Sequence, residues 1–408
     1  MLDSRNPEIW GEKSRHLQGV KIIFGITGSV AAYRAIDAMR ELIKRGATVY
    51  PAATTDALRF ITHDILEWAT GNKPFHEFGG ASQHIELGDA SDVMVIAPAT
   101  ANTLAKIAHG IADNPVTLTA LYMLGIGKPV IAVPSMHAGL WKAPQIQESI
   151  AKLRKMGIEL IPPLMEGGKA KFPPNEDIVA AAEALALRGR DLSGLKFLIT
   201  AGPTREWLDP VRFLSNPSSG VMGIELARNA YFRGAQVTLI HGPVTVKPPH
   251  YIEAIAVETA NEMLQECLSK IEESRYDAVI LAAAPSDFAF EKTSISKYPS
   301  DAEPPKLIPT PKISLKIREV FKGLLVGFAA ETAENTDDLI SKGTRKLRER
   351  RFDIIVANNV AGEGSPFGSV YNEVVIIKPD GSLTYVKRNL KSYIAMKILD
   401  EVSEELNK

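Results

Sequence analysis

Apolar and polar residues fall in blocks along this chain, and the blocks come in the same order twice. An apolar run from Val20 to Ile26 is broken by the small residues Thr27, Gly28 and Ser29. Ile36, Met39 and Ile43 then recur at helical spacing with Arg34, Arg40 and Lys44 between them, and a second apolar run follows KRGATVY. That pattern predicts strand, amphipathic helix and strand. Residues 196–241 repeat the plan: KFLITAG, a longer loop, a helix with Met222, Leu226 and Ala230 in register, then FRGAQVTLI. Each half adds short apolar runs, VMVIAPA and PVIAVPS in the first, DAVILAAA, LLVGFAA and FDIIVAN in the second. Continuous apolar strands alternating with amphipathic helices predict parallel sheets covered on both faces, so the expected class is α/β with two doubly wound domains.

Between the halves, Pro162, Pro163, Gly167, Gly168, Pro173 and Pro174 break up a loop, an Ala-rich helix follows, and residues 188–194 read as a linker. The expected boundary is near Arg190, giving domains 1–190 and 191–408. Near the C-terminus VVIIKPDGSLTYV reads as two strands around a Pro379–Asp380–Gly381 turn.

Composition narrows the function classes. At 408 residues, 45% hydrophobic and 23% charged, the chain is globular in character. No apolar stretch reaches the roughly 18 residues a membrane span needs. Lys+Arg 47 against Asp+Glu 48 gives a formal net charge of -1, so no global field points to nucleic acid or to an anionic membrane. The one cysteine, Cys267, excludes an intrachain disulfide and a thiolate metal cage, and the N-terminal residues 1–19 lack the apolar core of a secretory leader. A cytoplasmic location is expected.

Candidate chemistry sits at the junctions of strand and helix, where free amides and the helix dipole favour anions. Both ITGSVAAY and SNPSSGVMG occupy such junctions. A tight turn alone explains one Gly-Ser loop; two in matched positions point to a phosphorylated ligand in each half. Neither is a dinucleotide fingerprint or a Walker loop. Asn102, Thr103, Asp287, Asn358 and Asn359 also end apolar runs, as helix caps or as the lining of a pocket.

These residues resemble a known family, the bifunctional phosphopantothenoylcysteine decarboxylase and phosphopantothenate-cysteine ligase of coenzyme A synthesis. The likeness runs from about Val20 onward. It rests on GITGSVAAYRA, HIELGDASDVMVIAPATANTLAKIAHGIADN and VPSMHAGLW, then on ITAGPTREWLDPVRFLSNPSSGVMG, AAAPSDF, VGFAAET and IVANNV. It implies a flavodoxin-like flavoprotein domain followed by a Rossmann-like ligase domain, in a homo-oligomer with trimeric contacts through the first and dimeric contacts through the second.

For the first half the resemblance implies FMN, its phosphate met by Gly28, Ser29 and Val30 with Thr54, and its pocket lined by Thr100, Asn102 and Thr103. Loss of CO₂ from a cysteine carboxylate leaves a carbanion without an electron sink; oxidising the thiol to a thioaldehyde provides one. His84 matches the family's catalytic histidine. The resemblance is broken twice. His137, in Pro134-Ser135-Met136-His137, stands where the family has an asparagine for the substrate carboxylate, and an imidazole N–H can donate there too. The segment EGGKAKFP lacks the family's proton-donating cysteine. Lys169 or Lys171 takes the substrate anion or the acid role, or both are solvated lysines.

For the second half the resemblance implies CTP as co-substrate with Mg²⁺, and the small substrates 4′-phosphopantothenate and cysteine. Gly202, Ser218, Ser219 and Gly220 would cradle phosphates, Asn216 would contact the acyl-cytidylate, and Arg212 an anionic intermediate. Ala284, Asp287, Lys297, Phe328 and Lys346 match nucleotide positions. Arg350 replaces a lysine one turn after Lys346, and Val221 the lysine common after SSG. Lys346 and Arg350 also fit a solvated helical face. No metal ligands are assignable. The alternative readings are an active ligase fused to an inactive flavin-binding half, a flavin-binding regulatory module, and a nicotinamide dehydrogenase that the absent glycine fingerprint disfavours.

Overall fold

The computed structural model describes residues 7–79, 82–361 and 368–408. Of the N-terminal stretch read as having no leader, residues 1–6 lie outside that description. The chain divides into two compact units, Met1–Arg190 and Asp191–Lys408.

The first unit begins with β1 (Lys21–Ile26), a 3₁₀ turn (Val30–Arg34), α1 (Ala35–Lys44), β2 (Thr48–Ala53), α2 (His63–Thr70) and α3 (Gln83–Ala90). It continues with β3 (Val93–Ala99), α4 (Ala101–Ala108), α5 (Pro115–Gly125), β4 (Val130–Pro134), β5 (Met136–His137), α6 (Ala138–Trp141) and α7 (Pro144–Lys155). β6 (Glu159–Leu160), β7 (Leu164–Glu166), β8 (Lys169–Lys171) and α8 (Asn175–Leu187) complete it. The parallel sheet runs β2-β1-β3-β4-β6, the flavodoxin-like order, which puts its switch point between β1 and β3. Every residue of β3 is buried, as a strand covered on both faces requires.

The segment expected as a broken loop before α8 is instead a hairpin. Gly167 and Gly168 have φ of 57° and 69°, the left-handed backbone that a two-residue turn between β7 and β8 demands. β8 also pairs with β5, giving a small sheet in the order β5-β8-β7. Elsewhere α8 is fastened by a buried charge cluster: the Glu183 carboxylate bonds His16 Nε2 and Arg45 Nη1, each at 2.7 Å. Burial alone would raise its pKa, but Arg45 and His16 prevail and hold it at about 2.

The second unit opens with β9 (Lys196–Ala201), β10 (Arg205–Trp207), β11 (Phe213–Ser215), α9 (Val221–Phe232), β12 (Gln236–His241) and β13 (Glu253–Ala256). α10 (Ala260–Glu273), β14 (Ala278–Leu281), β15 (Phe288–Phe290), β16 (Leu307–Pro309), α11 (Ile313–Val320), β17 (Leu324–Glu331) and α12 (Thr336–Arg350) follow. β18 (Ile354–Asn359), β19 (Tyr371–Ile377), β20 (Leu383–Leu390) and α13 (Lys391–Leu406) end it. Its sheet runs β13-β12-β9-β14-β17-β18-β19-β20. The parallel part has the Rossmann order, with the switch point between β9 and β14, and the antiparallel β19-β20 hairpin extends one edge. α9 lies close on β9 because Gly223 has no side chain: a Cβ there would sit 2.5 Å from the Ala201 Cβ. Among the described residues no helix is long and apolar enough to cross a membrane.

Candidate functional site

In the first unit Thr27 ties the two strands of the switch point. Its buried hydroxyl donates to the Pro98 carbonyl at 2.7 Å and accepts from the Thr100 amide at 3.2 Å. Gly28 lets the loop after β2 approach, since a Cβ there would lie 2.5 Å from the Asp56 Cβ. The loops after β1, β2 and β3 thus meet, and each carries a hydroxyl that caps a helical turn. Ser29 accepts from the Ala31 amide at 3.2 Å, Thr54 from the Ala57 amide at 3.2 Å, and Thr100 from the Thr103 amide at 3.3 Å. Val30 is exposed beside Ser29; Asn102 is exposed on the first turn of α4, with Thr103 buried beneath it.

The β5-β8-β7 sheet adjoins these loops. The Ser135 amide donates to the Ala99 carbonyl at 3.1 Å, fixing the start of β5 to the end of β3. Arg34 donates to the Phe172 carbonyl at 3.1 Å and lies over the Phe172 ring, tying the segment just after β8 to the 3₁₀ turn. His137 and Lys169, both exposed, are direct partners in the β5-β8 ladder. Lys171 pairs with Glu166 at 2.7 Å. His84 stands on the first turn of α3, half-buried, with its ring edge-on to Tyr122 at 5.9 Å between centroids. Gly88 permits this packing, because a Cβ there would fall 2.5 Å from the Tyr122 ring.

In the second unit a cavity of about 460 Å³ opens at the switch point. It gathers Asn216, Ser218, Ser219, Gly220, Ala284, Asp287, Phe328, Lys346 and Arg350 from the sequence expectations. Asn216 donates through Nδ2 to the carbonyls of Ala284 and Pro285, each at 3.1 Å, so the loop before α9 is clamped to the loop after β14. Gly220, with φ of 80°, heads α9; a Cβ there would lie 2.3 Å from Val244 Cγ1 and 3.3 Å from the Gly202 Cα. Lys346 and Arg350 are one helical turn apart on α12, so they share a face, and that face lines the cavity. Lys346 meets Glu331 at 2.5 Å.

Gly202, Arg212 and Lys297 are not in the cavity lining. Gly202, with φ of 79°, accepts the Ala284 amide at 2.8 Å and backs the loop from behind. Arg212 donates twice to Asp209 Oδ2, from Nε at 3.0 Å and Nη2 at 2.6 Å, and donates to the Tyr298 carbonyl. Desolvation works against the Asp209 charge, but the Tyr298 amide and Arg212 outweigh it and hold the carboxyl well below the usual range. Lys297 is exposed on the segment between β15 and β16.

Two lysines that sequence reasoning missed line the same cavity. Lys312 bonds Asp287 at 2.5 Å. Lys391, at the start of α13, is 5% exposed, and burial lowers its pKa to about 8. Its signal was present: Ile394, Ala395 and Ile398, at i+3, i+4 and i+7, are fully buried, so Lys391 heads an apolar stripe. Cys267 lies in the core on α10, and burial pushes its thiol up to about 12. Among the described residues no group of three His, Cys, Asp or Glu side chains is placed to hold a metal ion.

Residues 11–187 match the family model described as Flavoprotein, and residues 192–406 match the DNA/pantothenate metabolism flavoprotein C-terminal domain. Fold and matches together define a two-domain flavoprotein of pantothenate metabolism. A coenzyme A biosynthesis bifunctional protein CoaBC of Thermococcus kodakarensis is 39% identical, with 98% of each chain covered. The protein of the same name from Methanocaldococcus jannaschii is 37% identical, with 90% of each covered. A crystal structure of the C-terminal domain of a protein of that name is 34% identical, covering 53% of this chain and 98% of its own, with a TM-score of 0.45. The chain belongs to the coenzyme A biosynthesis bifunctional protein family, and it is a bifunctional enzyme.

Proposed function

We propose that the second unit is a CTP-dependent phosphopantothenate-cysteine ligase and the first an FMN-dependent phosphopantothenoylcysteine decarboxylase, acting in that order. The observation that carries the reading is the switch-point cavity of the second unit, where the loop Asn216–Gly220 at the start of α9 meets Lys346 and Arg350. In the ligase step a substrate carboxylate attacks the α-phosphorus of CTP and pyrophosphate leaves; the amine of cysteine then displaces CMP. Negative charge grows around phosphorus in both steps, and helix-start amides with cationic side chains oppose it. Asn216 gives its amide nitrogen to two carbonyls and keeps Oδ1 for a donor such as the attacking amine. Asp287, paired here with Lys312 at 2.5 Å, is the carboxylate of the cavity lining that a Mg²⁺ held mainly by substrate phosphates would draw on, such an ion typically asking the protein for one or two.

In the first unit the hydroxyls and helix-start amides around Gly28, Ser29, Val30 and Thr54 suit the phosphate of FMN, with Thr100, Asn102 and Thr103 lining its pocket. Bound FMN would take two electrons from the substrate thiol, giving the pair that CO₂ leaves behind a thioaldehyde to enter, and would return those electrons after decarboxylation to restore the thiol. His84 takes the thiol proton, His137 donates to the substrate carboxylate, and Lys169 protonates the carbon that CO₂ leaves. The exposed Val30, Tyr33, Phe60 and Trp68 support contact between copies of the first unit in a homo-oligomer. A free buried thiol accords with the reducing cytoplasm.

A second reading, an active ligase with a flavin-binding half that does not turn over, is favoured by one observation: the chain's one cysteine is buried on α10 and the β7-β8 hairpin carries none. Purified protein given 4′-phosphopantothenate, cysteine, Mg²⁺ and either CTP or ATP distinguishes the two. CMP together with CO₂ supports the first reading, CMP without CO₂ the second, and neither product contradicts both.

A further inference from the structure

β18 ends on two asparagines that face opposite ways. Asn359 is exposed and its carboxamide is spent on the neighbouring loop: Oδ1 accepts from the Ala333 and Ala361 amides at 3.1 and 3.0 Å, and Nδ2 donates to the Ala333 carbonyl at 2.7 Å. Asn358, one residue earlier, extends the face of Ile354 and Val356, which packs in the core with α9 and α13. It is 7% exposed and lines the ligase cavity. Among the described residues no hydrogen bond meets either its Oδ1 or its Nδ2.

The strands on either side keep this amide open to the cavity. Ala330, its direct partner on β17, is small, exposed and part of the same lining, and Phe328 lies two residues back on that face. On the other side β19 bulges between Asn372 and Val374, and Asn372, 9% exposed, joins the lining. Its Oδ1 accepts the Glu373 amide at 2.9 Å, while among the described residues its Nδ2 has no acceptor.

An apolar residue at 358 would continue the stripe of Ile354 and Val356 without the cost of desolvating an unpaired amide. A carboxamide sets one acceptor beside one donor in a plane, so its full complement is another group with a donor beside an acceptor. Phosphates and carboxylates only accept and would leave Oδ1 unmet. β18 also lies three strands from β9, about 14 Å at ordinary strand spacing, and so away from the phosphate-binding junction at the start of α9. The organic part of a substrate is what reaches it.

We propose that Asn358 is a binding residue of the ligase site whose carboxamide pairs, donor to acceptor and acceptor to donor, with an amide-like edge of a substrate. Two substrates carry such an edge: CTP in the N3 and 4-amino group of cytosine, and 4′-phosphopantothenate in its amide. The inference rests on the ligase reading of the second unit.

Full-length Asn358→Leu, which keeps the branched shape without the polar atoms, and Asn358→Ala are compared with wild type for CMP formation, varying CTP and 4′-phosphopantothenate in turn. Each is also melted without ligand. KM for the ligand that Asn358 holds should rise by about tenfold or more, as the loss of a pair of hydrogen bonds requires. A rise for CTP assigns the contact to cytosine; a rise for 4′-phosphopantothenate assigns it to the amide. Without ligand, Asn358→Leu should melt at or above the wild-type temperature, because an unpaired buried amide gives way to an apolar group. Variants that keep both KM values within about twofold of wild type overturn the proposal, at whatever temperature they melt. A wild type that forms no CMP contradicts the ligase reading instead. In that event the melting shifts given by CTP alone and by 4′-phosphopantothenate alone still decide on Asn358: a shift lost in the variants supports the contact, and shifts equal to wild type overturn it.

Discussion

His137 faces Lys169 across the antiparallel ladder of β5 and β8. Direct partners in such a ladder carry Cβ atoms about 5 Å apart on one face of the sheet, so an imidazole and an ammonium stand side by side. The Gly167–Gly168 turn fixes that register, and Arg34 ties the segment just after β8 to the first strand-to-helix loop. A one-residue slip would send Lys169 to the opposite face.

If this pair replaces the missing cysteine, Lys169→Met should slow CO₂ release by about 100-fold or more, the usual worth of a positioned proton donor. Lys171→Met should have a much smaller effect, because Lys171 is held by Glu166. Flavin absorbance per chain should stay unchanged in both variants. Equal rates for Lys169→Met and wild type would remove the acid role from the hairpin.

Cys267 makes the complementary case. Its thiol lies in the core and titrates near 12, so it has negligible thiolate at neutral pH. Cys267→Ser should therefore leave CO₂ release intact while costing about 1–2 kcal/mol of stability through the buried hydroxyl, read by denaturant unfolding. Loss of CO₂ release in a folded Cys267→Ser protein would contradict this.

Gly220 separates two kinds of strain. Gly220→Ala should destabilise the second unit by about 2–4 kcal/mol, combining the left-handed backbone with the 2.3 Å approach to Val244 Cγ1. Val244→Ala in the same chain should recover the contact component and leave about 1–2 kcal/mol of backbone cost. Thermal unfolding of both single variants and the double variant measures the coupling, and strict additivity would show that the close approach is relieved elsewhere.

Glu183 predicts an acid limb of stability. Its pKa is held at about 2 in the folded chain against an ordinary 4.5, so its contribution is complete above about pH 4.5 and is lost as pH falls toward 2. The difference corresponds to something on the order of 3 kcal/mol. Melting temperature should fall steeply over that window, and Glu183→Gln should flatten the fall while lowering stability at neutral pH by leaving Arg45 without its carboxylate. An unchanged acid limb in Glu183→Gln would assign the loss to other carboxylates.

What could be read from the sequence was whatever is local. The stripe of Met39 and Ile43, and that of Leu226 and Ala230, marked helices whose burial follows from spacing alone. Asn216 to Gly220, which line the cavity, were legible as a strand-to-helix junction because small polar residues and a left-handed glycine mark a helix start. Arg212 shows the limit: adjacency to that motif made it a site residue, whereas Asp209, three residues earlier, captures it. The hairpin around Gly167 and Gly168 was hidden because glycines that break a helix are also those that turn a strand. Lys312 and Lys391 reach the cavity through the packing of α11 and α13; the stripe of Ile394, Ala395 and Ile398 marks Lys391 as buried, but nothing beside either lysine names a ligand.

The central claim is that two separate sites serve two reactions in one chain. Asn216→Ala and His84→Asn, assayed side by side for CMP from 4′-phosphopantothenate, cysteine and CTP, and for CO₂ from supplied phosphopantothenoylcysteine, test it most directly. Asn216→Ala should lose CMP formation by about 100-fold or more and keep CO₂ release, and His84→Asn should do the reverse. Variants that lose both activities together while remaining folded, or that lose neither, would contradict it.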